Sequence, residues 1–171
     1  CHNPEGLSSA PQIARYTHKC IGCGECNKEG FVPEDCIGDA QILYGKEITV
    51  EELLPALLED RDFYENSGGG VTLSGGECLM QADFCAELLK QLKKNGINTA
   101  VDTCGFAPKA ALDKVITYTD MFLYDIKAYD ENIHIKCTGA SNERILENLK
   151  YLDSLGKSIE IRIPYVPDHN D

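Results

Sequence analysis

From residue 47 onward the chain alternates short apolar runs with amphipathic stretches, and that alternation restricts the fold more than any single residue does. Apolar runs near 70–74, 97–102, 121–126 and 158–164 read as strands, and the segments between them carry helical periodicity. Strands separated by helices pair in parallel, because a parallel neighbour can be reached only through a long crossover. The class is therefore α/β. Four such strands cannot close a barrel, so the expected shape is an open arc, with further strands missing at one or both ends.

The helical segments carry their own boundary signals. Thr49 precedes "VEELLPALL" with Glu52 three residues on, a capping-box pattern, and Leu53, Leu54, Leu57 and Leu58 fall on one face. "QADFCAELLKQLKKNG" runs into Gly96, and "APKAALDKVITYT" has Pro108 near its start. "DENIHIKCTG" and "SNERILENLKYLDSLG" complete the set, the second stopped by Gly156. Each strand ends in polar residues: Ser74-Gly75-Gly76-Glu77, then Asp102-Thr103, Asp125-Ile126-Lys127 and Arg162. In parallel α/β folds that carboxyl end carries the ligand site. Taken singly, Asp102 and Asp125 could be caps of the following helices or a pair holding a cation or an amino group. Lys127 could be no more than the salt-bridge partner of Asp125.

Composition removes some functions. With 16 basic and 28 acidic residues the net charge is −12, which disfavours nucleic acid as a partner. No apolar run reaches the ~20 residues of a membrane span. Nine cysteines exceed what a reduced domain of 171 residues needs for packing. An odd number and well-patterned helices both argue against a disulfide scaffold, which leaves metal ligation.

Five of the nine lie in residues 1–46: Cys1, Cys20, Cys23, Cys26 and Cys36. This part has many Gly and Pro residues and little periodicity, and reads as loops organised around metal. "CIGCGEC" gives CxxCxxC spacing, with Cys36 as a fourth ligand; iron–sulfur is favoured, with zinc or inert thiols as the alternatives. Cys78, Cys85 and Cys137 read as small buried residues. Among the four His residues, His134 and His169 read as core or surface residues, and none of the four has zincin-like spacing.

Several stretches, in order along nearly the whole chain, resemble the glycyl radical enzyme activating enzymes of the radical S-adenosylmethionine class, the pyruvate formate-lyase activating type. They are "CHNPEG" at 1–6, "GKEITVEEL" at 45–53, "SGGGVTLSGGECLMQ" at 67–81, "DTCGF" at 102–106, "YDIK" at 124–127 and "IRIPYVP" at 161–167. The resemblance implies a partial (β/α)6 TIM-like barrel, of which this chain is expected to be the middle. It divides the chain into the end of a cluster-binding loop (1–9), a small Cys-rich ferredoxin-like insertion (10–46) and the central part of the barrel (47–171). It makes Cys1 the last ligand of a site-differentiated [4Fe–4S] cluster whose other two thiols would lie upstream, so that this piece alone is expected to be inactive. Cys20, Cys23, Cys26 and Cys36 would hold an auxiliary iron–sulfur cluster, and Cys104 would hold none. Gly75, Gly76 and Glu77 match the turn that receives the methionine amino group of S-adenosylmethionine. Asp102, Thr103 and Asp125 match positions near its amino acid end, beside a monovalent cation, and Lys127 and Arg162 match cosubstrate-contacting positions.

The implied activity is reductive cleavage of S-adenosylmethionine to a 5′-deoxyadenosyl radical that takes hydrogen from a glycine of a partner enzyme. A flavodoxin or ferredoxin reductant and a cytoplasmic, anaerobic setting follow from the same resemblance, with neither nucleic acid nor membrane as partner. Two other readings fit the residues: a radical enzyme of the same class acting on a small molecule, and a non-catalytic iron–sulfur or zinc electron-transfer module.

Overall fold

The computed structural model describes residues 10–167 and 170. Cys1, His2 and His169 therefore lie outside the described residues, and so does the segment 1–9. The chain divides into two compact units, Cys1–Ile48 and Thr49–Asp171.

In the first unit, β1 (Gln12–Arg15) pairs antiparallel with β2 (Gln41–Tyr44), Ile13 opposite Leu43. Between them run three single 3-10 turns, Thr17–Lys19, Glu25–Asn27 and Pro33–Asp35. The two strands correct the expectation of loops alone. Four residues each are too short to show a period in sequence, and their pairing joins positions far apart in the chain.

The second unit holds a four-stranded parallel sheet in the order β3-β4-β5-β6: Gly70–Leu73, Asn98–Thr103, Met121–Asp125 and Ser158–Arg162. All four expected strands are present within a residue or two. The Thr49 capping box forms as its spacing suggests, with Glu52 N–H on Thr49 Oγ1 at 3.2 Å and Thr49 N–H on Glu52 at 2.9 Å. It opens α1 (Val50–Leu58), after which Asp60 starts a separate helix α2 (Arg61–Ser67). Then come α3 (Ala82–Lys94), α4 (Lys109–Val115), α5 (Glu131–Thr138) and α6 (Glu143–Ser154).

Strand periodicity separates the two faces of the sheet. Val101, Phe122 and Tyr124 are fully buried and pack with Leu89, Leu112, Val115 and Leu152 of the helices. Burial of each such side chain contributes about 1.5–3 kcal/mol. The alternate positions form the other face, where Thr72 and Glu160 are exposed and Asp102, Leu123, Asp125 and Arg162 half-buried. The parallel register aligns the polar ends of the strands on that face, with Asp125 opposite Arg162.

At the opposite end of the sheet Asp120 accepts from Thr99 N–H (2.8 Å), Thr99 Oγ1 (3.0 Å) and Lys93 Nζ (2.7 and 2.8 Å). Burial alone would raise the Asp120 pKa, but these hydrogen bonds outweigh it and hold it below its ordinary value. A depressed folded-state pKa means a contribution to stability that is complete above the ordinary carboxylate range and lost as pH falls through the lowered value. Urea unfolding at a series of pH values should therefore show a steeper acid loss below about pH 4 for the native chain than for Asp120→Asn. Identical slopes would remove Asp120 from the acid limb.

Cys85 is buried and Cys78 half-buried, but Cys137 is exposed, against expectation. Helix α5 buries only His134, whose ring Nδ1 bonds Ala140 O at 2.8 Å, so His134 is a core residue.

Candidate active site

The site grows from the turn after β3. Gly75 has φ +100°, a conformation that side-chain-bearing residues rarely adopt, and it lets the chain reverse at the end of the strand. The reversal aims the Glu77 side chain back under the turn rather than outward. Its Oε1 accepts from Leu79 N–H (3.1 Å), which caps the 3-10 turn Cys78–Gln81, and from Thr103 Oγ1 (2.7 Å). Its Oε2 accepts from Cys104 N–H (3.0 Å) and Cys104 Sγ (3.1 Å). A carboxylate has about four lone-pair positions, and here four donors fill them. Glu77 thus rivets the glycine turn after β3 to the turn after β4.

The second turn is itself held from behind. Thr103 Oγ1 accepts from Gly105 N–H (2.9 Å). Asn148 of α6, 5% exposed, donates to both Gly105 O (2.8 Å) and Ala107 O (2.9 Å). Tyr124 Oη, lying against Gly105, donates to Ile145 O (2.7 Å), and burial pushes this phenol above its ordinary range. Asn142 performs the same service for the turn after β5, donating to Ala128 O (3.1 Å) and Tyr129 O (2.8 Å).

On the half-open face, charge is paired across strands. Arg162 Nη2 bonds Asp102 Oδ1, and Arg162 Nε bonds Asp125 Oδ1 (3.1 Å). Ser74 Oγ donates to Asp102 Oδ2 (2.9 Å), and Lys127 Nζ to Asp125 Oδ2 (3.2 Å). The two carboxylates are thus matched by two cations and a hydroxyl rather than serving as helix caps. The Cys104 thiol is pushed up to about 11, first by burial and then by its bond to Glu77, so it stays protonated near neutrality. Cys78 is raised too, by the neighbouring Cys85 and by burial.

The structure brings Glu77 and Thr103 into one network and Asp102, Asp125, Lys127 and Arg162 into another, with Gly75 and Gly76 exposed at the turn. Sequence reasoning placed Ser74 among the polar strand ends without giving it a role, and did not single out Tyr124, Asn142 or Asn148 for the site. For Asn148 a signal existed: it interrupts the apolar stripe Ile145, Asn148, Leu152 on the buried face of α6.

In the first unit, Cys20, Cys23, Cys26 and Cys36 all line one cavity, together with Gly24, Gly38, Phe31 and Ile21. Three of the four sulfur-bearing residues are exposed, and no disulfide joins any two of the described cysteines. Among the described residues no three Cys, His, Asp or Glu side chains converge on a point that could hold a single metal ion. No helix of the described residues is long and apolar enough to cross a membrane.

The α/β fold with its parallel sheet agrees with what comparison finds. Residues 17–171 match the Radical SAM superfamily, and the chain belongs to it. Within it, the chain is 39% identical to the choline trimethylamine-lyase activating enzyme of Oleidesulfovibrio alaskensis, over all of this chain and 64% of that protein. It is likewise 39% identical to the trans-4-hydroxy-L-proline dehydratase activating enzyme of Clostridioides difficile, over 97% of this chain and 63% of that one. A crystal structure of a domain of pyruvate-formate lyase-activating enzyme from Bacteroides vulgatus superposes with a TM-score of 0.56 at 35% identity, covering 60% of this chain and 63% of that chain. The chain thus spans just under two thirds of the length of these curated relatives.

Proposed function

We propose that this chain serves as the cosubstrate-binding part of a glycyl radical enzyme activating enzyme. The observation that carries the reading is the joined pair of turns after β3 and β4, with a paired-charge face beside them. In this reading a [4Fe–4S] cluster, when bound, supplies the electron that cleaves S-adenosylmethionine to the radical that takes hydrogen from the partner's glycine.

The chain's own residues bind and orient. Because four donors fill the Glu77 carboxylate, an incoming amine meets the main-chain carbonyls of the Gly75–Gly76 turn, which no side chain shields. Glu77 and Thr103 fix where those carbonyls point. Arg162 and Lys127 supply the positive charge that a cosubstrate carboxylate needs, and Asp102 and Asp125 hold these cations in place. Asp102, Thr103 and Asp125 also offer the oxygen donors suited to a monovalent cation, whose entry would require Arg162 to release the pair. Cys1 would be the cluster ligand on this chain.

The four thiols around one cavity suit an auxiliary iron–sulfur cluster in a ferredoxin-like insertion, since a cubane asks for one thiolate at each of four irons. A small flavodoxin or ferredoxin would be the reductant, in an anaerobic cytoplasm. Anaerobic reconstitution should load about four irons that depend on this set, and Cys36→Ser should lower both iron and sulfide. Iron loading indifferent to Cys36 would remove the fourth ligand.

The function itself is tested with the full-length gene product. It should release 5′-deoxyadenosine on reduction with S-adenosylmethionine and raise a glycyl radical signal, by electron paramagnetic resonance, in a cognate partner. Cosubstrate cleavage with no radical in any glycyl radical enzyme offered would favour a small-molecule substrate instead.

A further inference from the structure

One asparagine after β6 spends its side chain on joining two strand-exit turns. Asn170, half-buried, donates from Nδ2 to Lys127 O (2.8 Å) and to Pro164 O (2.6 Å), and its Oδ1 accepts from Val166 N–H (2.7 Å). Its own N–H donates to Val166 O at 3.2 Å. A side-chain amide has two donor hydrogens, and both are used here. The bond to Lys127 crosses 43 residues, so it ties the loop after β6 to the turn after β5 rather than closing the loop on itself.

From the other side Asn142 holds the next two carbonyls, Ala128 O and Tyr129 O. Three successive carbonyls of the turn after β5 are therefore each bound by an asparagine amide. Just before them, Ile126 N–H donates to Arg162 O at 2.9 Å. Lys127 itself is half-buried, with its ammonium on Asp125 Oδ2 at 3.2 Å. A lysine side chain has many rotamers, and it keeps one place only if the main chain that bears it is fixed. Arg162 lies two residues before Pro164, so Asn170 links the main chain carrying one cation to the main chain carrying the other.

We propose that Asn170 is a positioning residue that fixes the spacing of Lys127 and Arg162, and thereby the pair of cations that receives a carboxylate. The second clause rests on the cosubstrate reading given above; the first does not. A carboxylate offers two oxygens, and two cations serve it best when both stand in place before it arrives. Asn170 acts on that pair through the main chain.

The tie is read by amide hydrogen exchange in the full-length gene product. In Asn170→Ala the Val166 amide loses its acceptor and should exchange about tenfold faster or more. Unchanged exchange at Val166 would overturn the tie. The positioning is read in the reconstituted protein with two ligands, S-adenosylmethionine and its decarboxylated analogue, which keeps the amine and the sulfonium. Asn170→Ala should weaken S-adenosylmethionine about tenfold and the analogue less than about twofold. Asn170→Asp keeps the acceptor for Val166 N–H but turns an oxygen toward the Lys127 and Pro164 carbonyls. It should weaken S-adenosylmethionine at least as much as alanine does, with a thermal melt near that of the native protein. Equal losses for both ligands, or native affinity in the aspartate variant, would overturn the positioning role. If the native protein binds neither ligand, the cosubstrate reading falls and the second clause with it, while the exchange result still decides the tie.

Discussion

Glu77→Ala should reduce S-adenosylmethionine cleavage by the full-length protein by about a hundredfold or more. Removing this carboxylate strands Leu79 N–H, Thr103 Oγ1, Cys104 N–H and Cys104 Sγ, of which Thr103 is only 2% exposed. Leaving one buried donor unpaired costs about 1–3 kcal/mol, and a hundredfold in rate needs only about 2.7 kcal/mol. Glu77→Gln is the sharper variant. It keeps the shape and one acceptor oxygen but turns an amide NH2 toward whichever donors Oε1 or Oε2 formerly received, so it should recover little of the loss. Release of 5′-deoxyadenosine in a single turnover, set beside a thermal melt, separates the two effects. A glutamine variant that cleaves like the native protein would show that the carboxylate only spaces the turns.

The largest effect on stability is expected at Gly105. It has φ +71°, and a Cβ there would lie 1.7 Å from Tyr124 Oη and 2.3 Å from Cζ. Tyr124 cannot yield, being fully buried and bonded through its hydroxyl to Ile145 O. Gly105→Ala combines a left-handed penalty of about 1–2 kcal/mol with overpacking of about 1–3 kcal/mol. The loss should therefore lie at about 2–5 kcal/mol, read as a drop in the urea midpoint at unchanged slope. In a Tyr124→Leu background the same substitution should cost about 1 kcal/mol less or better still, since only the backbone term remains. Equal costs in both backgrounds would mean that the ring is not what the glycine accommodates. Because Gly105 also passes its carbonyl to Asn148, the turn that holds Glu77 should loosen in step with the fold.

These two residues show how differently the site could be read in advance. Glu77 stands in a motif, and its resemblance pointed to an amine ligand, yet the carboxylate is spent on Thr103 and Cys104. Gly105 and Asn148 carried no motif, although an asparagine in the apolar stripe of α6 was a legible anomaly. The Cys-rich segment read as loops because two four-residue strands leave no measurable period. Cys137 read as buried because composition alone does not say which side of a short helix meets the core.

What the sequence by itself determined is the local order: four strands, their helices, the Thr49 capping box, and polar residues at the carboxyl end of each strand. Those are set by periods of 2 and 3.6 residues and by caps reaching three residues along the chain. Only the tertiary structure decided the partnerships: Glu77 with Thr103 across 26 residues, Arg162 with Asp125 across 37 and with Asp102 across 60. The parallel register of β3, β4, β5 and β6 chooses those partners, because it fixes which strand ends lie side by side, and no local propensity carries that information.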